Sequence, residues 1–311
     1  MGVGHPVSNS PLIIGVVHDG KAGHRSQALG ILRWFGEGFV VEASWSSLWA
    51  ERAGRLWVAL GGSPSPVALP QRTERCDLIF SVGTASAVPA LAWGRRVPCP
   101  VWSVMVPWGI PRSRFKGAVL PPHDSIGSPH EIVSLVAPSP FAYSKGARKD
   151  EVALLLGGGR HGASWPWEPL EKGILDLANR LGEKGMSFVV APSRRTPLSS
   201  LEKMARRGVR VWSQEKSLDK LFRQVRGVVV TDDSYSLVSE AIQAGFRPRV
   251  WETGTAKKLT SVWMTLNDKG WIDRSPISGE VPHLLRGGPA PHYEELLAHI
   301  EELVGSLQER V

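Results

Sequence analysis

Val228-Val229-Val230-Thr231-Asp232-Asp233-Ser234-Tyr235-Ser236-Leu237-Val238-Ser239-Glu240-Ala241 passes from an unbroken β-branched run, through an acidic and hydroxyl-rich turn, into a helical pattern. A short continuous apolar run suits a strand buried on both faces, as in a parallel sheet. The turn opens a helix, and the first backbone N–H groups of a helix favour an anion. Glu240, about one helical turn further on, can accept hydrogen bonds from the vicinal hydroxyls of a sugar. The combination suits a nucleoside diphosphate with its ribose. Asp and Ser at such a turn also serve as plain N-caps, so the ligand has to be argued together with other loops of the same kind.

Those loops recur along the chain. Apolar runs at 12–17, 39–43, 78–82, 101–105 and 117–120 read as strands, interleaved with helices near Ser26 to Trp34 and from Gly83-Thr84 to Leu91. Residues Pro138 to Lys149, rich in Pro, Ser and basic side chains, read as an interdomain linker. The pattern then restarts with strands at 152–156, 187–191, 209–212 and 249–251 and helices at 169–184, 199–207 and 218–224. Strands alternating with helices predict βαβ units and parallel sheets. The expected fold is therefore α/β, with two Rossmann-like domains over 1–145 and 146–290 facing across a cleft. A C-terminal helix over 291–311 either packs back on the first domain or lies free.

Composition narrows the function classes. The 311 residues are 42 % hydrophobic and 21 % charged, as in a soluble globular protein, and no apolar run approaches the length of a bilayer span. The first residues lack a signal-peptide pattern. Two cysteines, Cys76 and Cys99, make no disulfide framework and no metal-ligand spacing, which fits a reducing cytoplasm. A formal charge of +8 favours anionic partners, including an anionic membrane at the inner face. Nucleic acid is disfavoured, because the basic residues form no stripe interleaved with aromatics. Of the 13 tryptophans, Trp165 and Trp167 suit either a groove for sugar or lipid or ordinary core packing.

The loops at the strand ends carry the ionisable groups. After the first strand come Asp19, Gly20, Lys21 and His24; either Asp19 or His24 suits a general base, and Lys21 can neutralise a phosphate. Gly157-Gly158-Gly159-Arg160-His161 removes side-chain bulk where a phosphate would approach, with Arg160 or His161 supplying charge. In Ser193-Arg194-Arg195-Thr196-Pro197 one of the two arginines can clamp a diphosphate, since adjacent arginines do not easily face one ligand. Arg112 and Arg114, in a proline-framed loop, either reach the cleft or stiffen that loop. No spacing supports a metal site, a Walker A loop, a G-x-G-x-x-G turn or a hydrolase elbow.

In this order the motifs resemble the family of the plant mitochondrial fission factor "elongated mitochondria", whose bacterial members are described as glycosyltransferases. The resemblance rests on Asp19-Gly20-Lys21-Ala22-Gly23-His24 with Gln27-Ala28-Leu29-Gly30, Pro111-Arg112-Ser113-Arg114-Phe115 and Pro122-His123-Asp124. In the second half it rests on Leu156-Gly157-Gly158 with His161, Ser193 to Pro197, and Thr231 to Ser234 with Ser239-Glu240-Ala241. It departs at Lys116, where an acidic residue is expected, and at Gly157 to Arg160, where Gly-Gly-Pro-Ser is usual. The resemblance implies a GT-B architecture, with the acceptor on the first domain and the nucleotide sugar on the second. It implies a ribose contact for Glu240 and a diphosphate contact for the turn Ser234-Tyr235-Ser236.

The expected activity is transfer of a sugar from a nucleoside diphosphate sugar to an acceptor of the cell-envelope glycan or lipid type, with no metal and no cofactor. Asp19 and His24 are the candidate catalytic residues. Lys21, Gly157, Gly158, His161, Ser193, Arg194, Arg195, Asp233, Ser234, Tyr235, Ser236 and Glu240 are the candidate donor-binding set. Alternatives are a non-catalytic adaptor like the plant factor and a nucleotide-sugar epimerase of the same architecture.

Overall fold

The computed structural model describes residues 12–64, 76–146, 148–158, 165–213 and 217–310. The chain divides into two compact units. The first runs to Ser134 and takes in Pro138–Pro140 and the residues from Ile300; the second comprises Leu135–Ala137 and Phe141–His299.

In the first unit the elements are β1 (Ile14–His18), α1 (Ala22–Phe35), β2 (Gly38–Glu42), α2 (Leu48–Ala59), β3 (Leu78–Val82), α3 (Ala87–Arg96), β4 (Val101–Val104), β5 (Gly117–Leu120) and β6 (Glu131–Val133). The sheet is parallel, in the order β2-β1-β3-β4-β5-β6. Every residue of β1, β3, β4 and β5 is buried, which is why these segments read as unbroken apolar runs. Val17, Ile79, Val88, Trp93 and Val101 belong to one core cluster in which α3 meets the sheet. Helix α1 starts at Ala22, a turn earlier than the sequence pattern near Ser26, so His24 lies in its first turn. Cys76 and Cys99, both free thiols, bring their Sγ atoms to 3.6 Å.

The second unit comprises β7 (Glu151–Leu156), α4 (Trp167–Glu183), β8 (Ser187–Pro192), α5 (Leu198–Arg206), β9 (Arg210–Val211), α6 (Leu218–Gln224), β10 (Gly227–Thr231), α7 (Tyr235–Gln243), β11 (Arg249–Glu252), α8 (Thr260–Asp268) and β12 (Asp273–Pro276). Its sheet is also parallel, in the order β12-β11-β10-β7-β8-β9. Read from β7, that is the 3-2-1-4-5-6 order of a dinucleotide-binding fold. Leu154, Leu156, Ile174, Leu177, Val190 and Trp251 share its core, and Trp165 and Trp167, edge to face with each other, pack against that cluster. The last helix, α9 (Tyr293–Gln308), leaves the second unit at His299 and belongs to the first from Ile300 onward. Helices α2 and α8 and strands β6 and β12 lie outside the pattern read from the sequence. β6 has three residues, and β12 is the polar edge segment Asp-Arg-Ser-Pro.

Candidate functional site

In a parallel sheet, the crevice forms at the carboxyl ends of the two strands where the order of connection reverses. In the first unit those strands are β1 and β3. Asp19 directly follows β1 and its side chain is 3 % exposed. Its Oδ2 lies 2.8 Å from Lys21 Nζ and its Oδ1 2.6 Å from His24 Nδ1. Burial raises the Asp19 pKa, but the hydrogen bonds and charges of His24 and Lys21 outweigh it and hold the carboxyl well below the usual carboxylate range. An ionised Asp19 places the proton of that contact on His24 Nδ1, which fixes the ring's orientation and leaves Nε2 as the nitrogen able to accept a proton. Across the crevice Gly83 follows β3 with φ +92°, and a side chain there would overlap the His24 ring. That glycine makes room for the imidazole.

In the second unit the reversal falls between β7 and β10. The Gly157 N–H donates to Thr231 Oγ1 at 2.8 Å, and that hydroxyl donates to Asp233 Oδ1 at 2.8 Å. The Gly158 N–H donates to Asp233 Oδ2 at 3.2 Å, and Arg195 Nη2 pairs with the same oxygen at 3.2 Å. Ser193 Oγ and Thr196 Oγ1 donate to the Gly157 carbonyl at 3.0 and 2.5 Å. A Cβ on Gly157 would overlap the Asp233 carboxylate, and one on Gly158 would overlap the Arg195 backbone. Three loops therefore close on one carboxylate, which aims a single guanidinium.

Among the donor-binding candidates, Gly157, Gly158, Ser193, Arg195 and Asp233 come together in this network. Ser234 caps α7, its hydroxyl accepting from the Leu237 N–H at 3.5 Å and lying 3.4 Å from Ser236 Oγ. Tyr235 lies over Trp263, with ring centroids 6.1 Å apart. Glu240 is buried on α7, and Arg194 is exposed. His161 lies outside the described residues. Arg112 is bound to the Glu131 carboxylate and to the Asp124 carbonyl, and Arg114 donates to the Gly62 carbonyl at 2.5 Å. Both arginines thus brace loops.

Several contributors were not singled out from the sequence. Thr231 and Thr196 tie the loops of the second unit together. Asp232 turns away from Asp233 to accept from the N–H and hydroxyl of Thr253 at 3.0 and 2.5 Å. Burial pushes its pKa up, against those hydrogen bonds. Ser239 and Gln243 hold the backbone of Ala137, at 2.9 and 2.6 Å. The usable signal was position: Thr231 and Thr196 lie at or just beyond a strand's carboxyl end. Among the described residues, no group of three or more His, Cys, Asp or Glu side chains is placed to hold a metal ion. No helix among them is long and apolar enough to cross a membrane.

Two parallel Rossmann-like sheets, each with polar loops at its switch point, define a protein of GT-B-like fold. Similar solved structures include the UDP-GlcNAc 2-epimerase of Methanocaldococcus jannaschii, at 8 % identity and a TM-score of 0.53 over 94 % of this chain and 93 % of that one. They also include the S. aureus MnaA–UDP structure, at 10 % identity and 0.51 over 96 % and 91 %. MurG of Acinetobacter baumannii matches at 12 % identity and 0.43 over 96 % and 92 %. Comparison with curated proteins gives no sequence match. The model of the mitochondrial fission ELM1 family matches residues 22–298, and the chain belongs to that family.

Proposed function

We propose that this protein is a glycosyltransferase that moves a sugar from a nucleoside diphosphate sugar to an acceptor hydroxyl. The observation that carries this reading is the Asp19–His24 pair, 2.6 Å apart at the carboxyl end of β1. A buried carboxylate on one imidazole nitrogen orients the ring and stabilises the imidazolium formed when the other nitrogen takes a proton. In the proposed step the acceptor oxygen attacks the anomeric carbon while His24 Nε2 accepts its proton. The bond from that carbon to the diphosphate oxygen breaks, and the nucleoside diphosphate leaves with the electron pair. Lys21, Arg195 and the α7 N-terminus are assigned the phosphate charge, so the reading requires no metal. Ser193, Arg194, Ser234, Tyr235 and Ser236 are assigned to donor binding and Glu240 to the ribose, and His161, outside the described residues, keeps the donor-binding role expected from the sequence. The domain limits 1–145 and 146–290 belong to this proposal, as does a cytoplasmic protein peripheral to the inner membrane face, acting on an envelope glycan or lipid.

The first test is a thermal-shift screen of nucleoside diphosphates and their sugars, since a ligand binding only the native state raises the melting temperature. A stabilising nucleotide should lose affinity for Glu240→Ala in calorimetry, and unchanged affinity would remove Glu240 from the site. Conversion of the nucleotide sugar without any acceptor would favour the epimerase. No shift with any nucleotide would favour the adaptor.

A further inference from the structure

The outward face of α2 is inverted relative to an ordinary surface helix. Trp49, Arg52, Ala53, Leu56 and Trp57, followed by Leu60 just past the helix end, fall at i, i+3, i+4, i+7, i+8 and i+11, and all are exposed. The Trp and Leu side chains of this stripe are 58 % to 77 % exposed, while only Val58 of the helix is buried. A surface helix normally turns its apolar stripe to the core, and a contiguous apolar patch on the outside marks an interaction surface. Trp108, 76 % exposed in the loop after β4, extends the patch, with the Arg55 guanidinium 5.3 Å from its ring centroid.

We infer that this patch docks the first unit onto an anionic lipid bilayer, with α2 lying in the plane of the headgroups. The chemistry favours lipid over protein. Tryptophan and leucine with arginine at the rim is the composition of an interfacial helix. The Arg52 guanidinium lies 5.8 Å from the ring centroid of the exposed Trp49, where it can reach a lipid phosphate as that ring enters the interface, while Arg55, largely buried and held by Glu51 and the Trp108 carbonyl, props the Trp108 ring. The Trp57 indole Nε1–H already donates to the Ser63 carbonyl at 2.9 Å, which lowers the cost of moving that ring out of water. Glu51 is paired with Arg55 at 3.4 Å, and the whole chain carries +8. The patch also reaches the base-bearing edge: the Trp108 N–H donates to Thr84 Oγ1 at 3.2 Å, and Thr84 follows Gly83, which abuts His24. On the glycosyltransferase reading, and only there, this brings the candidate base to a membrane-held acceptor.

The test is flotation of the full chain with vesicles of phosphatidylcholine containing one-third phosphatidylglycerol, against phosphatidylcholine alone. The wild type should float with the anionic vesicles, less at high salt, and Trp49→Gln with Trp57→Gln should cut partitioning about ten-fold or more. Leu56→Gln with Leu60→Gln, which leaves the Trp57–Ser63 bond in place, should do the same, each pair melting near the wild-type temperature. Absence of flotation, or flotation undiminished in both pairs, overturns the inference. So does a wild-type dimer in sedimentation that the variants dissociate without any vesicle binding, which would give the face to a second copy. Nucleotide-induced thermal shifts measured without lipid should be unchanged in these variants, so failure here is distinguishable from failure of the glycosyltransferase reading.

Discussion

Asp19 has two partners on one carboxylate, and the two carry different consequences. Lys21 is largely exposed and contributes charge, whereas His24 is partly enclosed and takes its orientation from the contact. Asp19→Asn keeps the shape and removes the charge, so the imidazole can settle in the wrong tautomer. The expected result is a loss of turnover of about 10²- to 10⁴-fold with unchanged nucleotide affinity, measured by steady-state kinetics beside calorimetry. His292 is a second instructive residue. It is buried, its ring lies 6.0 Å from that of Trp271, and neither ring nitrogen finds a hydrogen-bond partner among the described residues. Burial, reinforced by the Arg247 charge, lowers its pKa to about 4. The unfolded chain then binds the extra proton first, near its ordinary value of 6.5, so stability is full above that pH and is lost as pH falls toward 4. The ceiling of the effect is about 3 kcal/mol, at roughly 1.4 kcal/mol for each pKa unit. His292→Phe keeps the stacked ring and removes the titration, so denaturant midpoints should lose part of their decline between pH 7 and pH 5.

At the level of elements, the parallel strands were legible because burial on both faces makes them unbroken apolar runs, as in β3 and β7. Strand β12 was not legible, because an edge strand needs neither apolar side chains nor every backbone N–H, and Asp273 to Pro276 supplies neither. Helix α2 is not legible because apolar residues fall on both its faces, exposed Trp57 beside buried Val58, with Gly54 in its middle, so no single stripe stands out. The glycines after β7 were legible as a place of close approach. That they yield to Asp233, with its Thr231 and Arg195 contacts, depends on three loops remote in sequence and was not legible. Gly157→Ala forces that carboxylate to move and should cost about 1–3 kcal/mol, with weakened nucleotide binding. Gly182→Ala on α4 meets nothing within 4 Å and should instead stabilise by about 0.5–1 kcal/mol. Chemical denaturation of the two variants separates close packing from helix propensity.

For the whole molecule, the unequal ownership of α9 matters most. Ile300, Leu303 and Leu307 are buried, and Arg310 donates to the carbonyls of Pro129 and Glu131 at 2.9 Å. Each buried aliphatic contributes about 1.5–3 kcal/mol, so deletion from Ile300 onward should open the first unit. Limited proteolysis with mass spectrometry is expected to show cleavage in the β1–β6 region, while the second unit stays protected. The same arrangement sets an order of events during synthesis. Domains of a growing chain generally mature from the N-terminus, yet the side chains that finish the first unit leave the ribosome only after every strand of the second has been made. The second sheet can be complete while the first still waits for its last helical turns, which leaves the earlier-made half the one exposed to chaperones and proteases.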